Sequence, residues 1–149
     1  MKVLSILAAG LLLISCANTK ETTAMAPEEA QKPQRNIAVT AQLGEFKKGD
    51  ALTITRSKVE GNILYLMVAY SGGCTEHTFE VIGNPILMKS LPPKRSVQLV
   101  HHANGDTCRE WIEQTLEIDL SALAADQTPG SEVILVVEGI DQELSYIFE

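Results

Sequence analysis

From residue 51 onward, short runs of β-branched and aliphatic residues alternate with clusters of Gly, Asn, Asp and Pro. Each run has strand length, and none sustains the 3.6-residue period of an amphipathic helix. Residues 51–59 (ALTITRSKV) and 63–70 (ILYLMVAY) flank Glu60-Gly61-Asn62 and predict a hairpin. The second run is apolar on both faces, as a central strand is. Residues 77–82 (HTFEVI) and 96–103 (SVQLVHHA) follow, separated by a segment that opens with Gly83-Asn84-Pro85. Asn104-Gly105, a pair suited to positive φ, then turns the chain into residues 108–120. There Ile112, Gln114, Leu116, Ile118 and Leu120 share one face, while Trp111, Glu113, Thr115, Glu117 and Asp119 share the other. Residues 121–126 suit one helical turn. Residues 131–140 and 143–148 complete a set of about seven strands. The pattern predicts an all-β domain, an immunoglobulin-like sandwich of antiparallel strands, with a small barrel as the alternative.

The first residues follow a different logic. Lys2 precedes an uncharged run, residues 3–14, that is too short for a bilayer, which takes roughly 20 apolar residues. It suits a secretory signal. Leu13-Ile14-Ser15-Cys16 resembles the lipobox of bacterial lipoproteins, which implies cleavage before Cys16 and lipid on that cysteine. Ala17, rather than Asp, follows it, so the sorting rule of enteric bacteria implies the outer membrane. The rule does not set the face; the periplasmic one is expected, with the cell surface as the alternative. Residues 16–35 are rich in Thr, Glu, Ala, Gln and Pro and read as a tether. The expected organisation is therefore a signal peptide at 1–15, a lipidated tether at 16–35 and a β-domain at 36–149.

Charge narrows the function classes. From Asn36 onward eight Lys and Arg face sixteen Asp and Glu, a net of −8. Nucleic-acid binding needs clustered cations, so it is not expected. The expected partners are the membrane, through lipid, and an envelope protein or small ligand. No cofactor is implied, because phosphate-cradling, dinucleotide and hydrolase-elbow motifs are absent from the sequence.

The residues able to do chemistry are few. With Cys16 taken by lipid, Cys74 and Cys108 remain, and in an exported protein a remaining pair forms a disulfide by default. A second reading uses the nearby histidines. Cys74, His77, His101, His102 and Cys108 supply the thiolates and imidazoles that suit tetrahedral Zn²⁺ or Cu(I). In a third, Cys108 with His101 or His102 and Asp106 has the residue types of a nucleophilic triad. Against the last two stand ordinary placements. His77 shares a face with Phe79 and Val81, and His101 with Val97 and Leu99, as packed histidines do. Asp106 suits a turn residue that accepts local backbone hydrogen bonds.

The sequence Tyr70-Ser-Gly-Gly-Cys74-x-x-His77-x-Phe79, then His102-x-x-x-Asp106-x-Cys108, then Leu116-x-Ile118-Asp119-Leu120-Ser121-x-Leu123 is similar to a group of small uncharacterised lipoproteins of Gram-negative bacteria. The resemblance covers the middle half of the chain and implies a secreted β-sandwich with its two cysteines close together. It implies no activity. The sequence thus favours a non-enzymatic, lipid-anchored binding or structural module, with a periplasmic metal-binding protein as the alternative.

Overall fold

A computed structural model describes residues 36–149. The expected signal peptide at 1–15, the expected lipidation at Cys16 and the expected tether at 16–35 lie outside the described residues. Eight strands form: β1 Asn36–Leu43, β2 Thr53–Glu60, β3 Ile63–Gly72, β4 Thr78–Gly83, β5 Lys94–His102, β6 Glu110–Asp119, β7 Glu132–Val137 and β8 Leu144–Ile147. The expected helical turn at 121–126 is a single 3-10 turn, Ser121–Leu123.

The all-β class stands, but the arrangement is not the expected sandwich of antiparallel strands. All eight strands belong to one sheet, in the order β2-β3-β6-β1-β4-β5-β7-β8. Its outer strands β2 and β8 come together at a seam, which leaves a nearly closed, barrel-like sheet. The eighth strand is β1, which the hydrophobic pattern did not mark. It runs parallel to both neighbours, with residues 36–40 on β6 and residues 41–43 on β4. By changing partner midway it joins the two halves of the sheet. A third parallel pair links β5 to β7, and the remaining pairs are antiparallel.

Alternating side chains fill the interior, as they must in a barrel of this strand number. Leu64, Leu66 and Val68 of β3 meet Leu116 and Ile118 of β6 across an antiparallel ladder. Val81, Val97, Leu135, Tyr146 and Leu123 complete this core, each almost fully buried. Arg95 is also inside, only 3% exposed. Its guanidinium donates to the carbonyls of Leu123, Ala124 and Asn84, so it ties the 3-10 turn to the end of β4. Burial lowers its pKa.

The barrel ends differ. At one end β3 and β5 finish where β4 and β6 begin, since Gly72 pairs with Glu110 and Thr78 with His102. All the cysteines and histidines of the domain gather near this end.

Candidate functional site

Cys74 follows β3 and Cys108 precedes β6, and the two are joined in a disulfide with Cα atoms 5.9 Å apart. The chain register makes this possible. Because Gly72 lies opposite Glu110, the segments extending beyond that pair start out side by side.

Beneath the disulfide sits a buried polar chain. Phe79 pairs with His101, so His77 and His101 are diagonal neighbours on the inner face of the β4–β5 ladder. His77 Nδ1 lies 2.8 Å from His101 Nε2. His77 Nε2 lies 3.2 Å from Asp106 Oδ2, and His101 Nδ1 donates to Ala51 O at 3.1 Å. The side chains of His77 and Asp106 are 2% and 0% exposed. Tyr70 stacks on His77 with ring centroids 4.7 Å apart, and Phe79 stacks on His101 at 5.2 Å. The Tyr70 hydroxyl donates to Gln114 Oε1, and burial raises its pKa. Gly72 makes room for this arrangement: a Cβ there would stand 2.6 Å from His77 Cε1 and Nε2.

Asp106 does more than the expected turn residue. Asn104 and Gly105 supply the turn, at φ of 52° and 74°. The carboxylate then collects donors from two loops. Oδ1 accepts from the Cys108 amide at 2.8 Å, the local bond that was expected, while Oδ2 accepts from the amides of Cys74 and Thr75, each at 2.9 Å. These amides, Cys108 and Thr75 foremost, hold the carboxyl far below the usual carboxylate range. Asp106 thus repeats through hydrogen bonds the link that the disulfide makes covalently.

The structure brings together four of the five residues of the metal reading, but in other roles. The two sulfurs are bonded to each other, so neither is the thiolate that zinc or copper takes. His77 and His101 have both ring nitrogens engaged. His102 points to the outer face and meets Glu80 Oε1 at 2.8 Å. Lys47 and then His102 hold the Glu80 carboxyl below its ordinary pKa. Cys74, Asp106 and Cys108 offer ligand atoms within 4.8 Å of one another, yet Asp106 is already occupied by backbone amides. The triad does not assemble either. The Cys108 sulfur is in the disulfide, and Asp106 bonds His77, not His101 or His102.

Above the buried chain the surface is open. A shallow groove of about 300 Å³ is lined by Asp50, Thr53, Tyr70, Ser71, His101 and Trp111. Trp111 is 63% exposed at its rim. The alternation in residues 108–120 had already placed this tryptophan on the outer face, though nothing in it marked a groove. A larger groove of about 590 Å³ runs near the seam past Arg56, Tyr65, Met67 and Ile140.

No family model matches the chain, and no curated protein matches it. Solved structures do. A NigD-like immunity protein from Bacteroides caccae ATCC 43185 superposes with a TM-score of 0.59 at 16% identity, over 78% of this chain and 66% of that one. The likeness is one of fold. A putative toxin-related protein from Parabacteroides distasonis ATCC 8503 gives a TM-score of 0.47 at 16% identity, over 73% of this chain and 59% of that one. A protein of unknown function, DUF1344, from Bacteroides vulgatus ATCC 8482 gives 0.48 at 12% identity, over 78% and 57%. The chain therefore spans less than two thirds of the length of each of these proteins.

Proposed function

We propose that this protein is a lipid-anchored envelope lipoprotein whose barrel domain works by binding rather than by catalysis. One observation carries the reading. The side chains of catalytic type at the disulfide end are spent on holding the structure together, while a tryptophan beside them is left in solvent. Both sulfurs, the four ring nitrogens of His77 and His101 and both oxygens of Asp106 have partners inside the protein. An exposed tryptophan at the rim of a groove is the kind of side chain that anchors protein interfaces, because it covers a large area with few rotatable bonds. The anchor rests on Leu13-Ile14-Ser15-Cys16, and the outer membrane on Ala17.

The test has two arms. Cys16→Ser should move the protein from the membrane pellet to the soluble periplasmic fraction; retention in the pellet would remove the anchor. A photo-crosslinking residue at position 111 should give a discrete adduct in intact envelopes, whereas one at Asp126, also on the surface, should not. The same adducts from both positions, or none from position 111, would remove the binding face.

A further inference from the structure

The hydrogen bonds at the disulfide end need more protons than two neutral imidazoles possess. Ala51 O only accepts, so His101 Nδ1 carries a hydrogen. The contact between His77 Nδ1 and His101 Nε2 needs one hydrogen between its two nitrogens. The contact between His77 Nε2 and Asp106 Oδ2 needs another. That makes three, and two neutral rings supply two. The third cannot come from a protonated Asp106, because three backbone N–H groups aim at that carboxylate and keep it ionised. It therefore belongs to the rings. His101 is driven toward its neutral form, by burial above all. A neutral His101 with its hydrogen on Nδ1 presents a bare Nε2 to His77. His77 can then satisfy both of its contacts only by donating from both nitrogens.

We propose that the His77–His101 pair holds one proton beyond its neutral complement, balanced by the Asp106 carboxylate, and that this proton fastens the loops 73–76 and 103–108 to the barrel. The titratable groups facing the pair come from each packed element. Tyr70 lies over it from β3, Asp50 approaches His101 from the segment before β2, and Asp106 closes it from the 103–108 loop. Glu110 of β6 stands beside Gly73 on the adjoining backbone. The disulfide does not titrate, and His102, Glu80 and Lys47 form their own group on the outer face. Loss of the extra proton to solvent leaves one of the three contacts without its hydrogen, setting two nitrogen lone pairs, a lone pair and the Asp106 carboxylate, or a lone pair and the Ala51 carbonyl against each other in a buried site. Such an unmade contact is costly where water cannot replace it.

The direction with pH follows. The folded pair binds one proton more than the unfolded chain once the pH exceeds the ordinary histidine value of about 6.5. The pair therefore contributes most near that value: at lower pH the unfolded chain takes up a second ring proton that neutral, buried His101 refuses, and at higher pH the folded pair holds a proton that the unfolded chain has released. The test uses the exported, oxidised protein with ¹⁵N-labelled histidine. Near neutral pH one ring should show two protonated nitrogens and a second the neutral tautomer with hydrogen on Nδ1. In denaturant titrations above about pH 6.5, the unfolding constant should rise by up to about tenfold per pH unit, as for one linked proton. His102→Gln should keep this slope, and His77→Gln or His101→Gln should flatten it. Should those two variants fail to fold, the ring spectra of the unaltered protein decide. Two neutral buried rings at neutral pH, or a slope that His102→Gln abolishes, would overturn the proposal.

Discussion

His77 Nδ1 and His101 Nε2 stand 2.8 Å apart inside the barrel, joined by a hydrogen bond between two side chains of the same type. Each ring uses its other nitrogen on a second partner, Asp106 or Ala51. On the proposed reading, the cluster that looks most like chemistry in the sequence is a fastening, and its failure under substitution should be structural.

Asp106 governs that fastening at low pH. Its pKa is depressed in the folded chain, so the stability it contributes is present above the ordinary carboxylate value of about 4 and is lost as pH falls toward the folded value. Asp106→Asn should therefore be destabilised at neutral pH and should lose less further stability on acidification than the unaltered protein. Parallel acid dependences in denaturant titrations would count against this role.

The disulfide closes a loop with a sequence separation of 34. The chain-entropy relation gives roughly 3.5–4 kcal/mol for such a loop. A Cys74→Ala, Cys108→Ala double variant should lose about that much in urea unfolding, with both single variants close to it. A loss under about 1 kcal/mol would mean that the Asp106 bonds alone hold the two loops together.

Much of this end of the molecule was legible in the sequence. Cys74 and Cys108 are paired in the structure, and His77, Phe79 and Val81 share an inner face, because period-2 alternation dictates sides directly. His102 lies outward for the same reason. What alternation cannot carry is which strands become neighbours. Strand β1 has only Ile37, Val39 and Ala41 facing inward, two of them half-buried, so its signal is faint. Its parallel pairing with β4 and β6 depends on long crossovers that leave no local trace. An antiparallel sandwich was the natural reading of the seven visible strands, and β1 is what turns them into one barrel-like sheet. Asp106 was half legible: the Asn104-Gly105 turn and the Cys108 bond are local, whereas the Cys74 and Thr75 amides arrive from about 30 residues away.

Two glycines separate crowding from backbone strain. At Gly72 a Cβ would fall 2.6 Å from the His77 ring and 3.2 Å from Asp106 Oδ2. Gly72→Ala should cost about 1–3 kcal/mol, as overpacking does, and should also disturb the histidine ring signals. At Gly105 there is open space but φ is +74°, so Gly105→Ala should cost about 1 kcal/mol and leave the rings unchanged. Thermal unfolding with histidine NMR distinguishes the two.

Arg95 offers a test away from the cluster. Its three acceptors are all main-chain carbonyls, at Leu123, Ala124 and Asn84. Arg95→Met keeps much of the packing but strands those carbonyls, and should cost about 3 kcal/mol in denaturant unfolding. Trp111→Ala, on an open surface, should stay within about 0.5 kcal/mol of the unaltered protein by the same measurement.

Whether the Cys–His–Asp cluster is a closed fastening or a working centre can be read from one sample. Protein produced in its native host and purified without chelators should have an intact mass lower by two hydrogens than the reduced form, no reactive thiol at Cys74 or Cys108, and no stoichiometric metal by elemental analysis. Two free thiols together with one equivalent of zinc or copper would contradict the fastening and restore the metal-binding reading of Cys74, His77, His101 and Cys108.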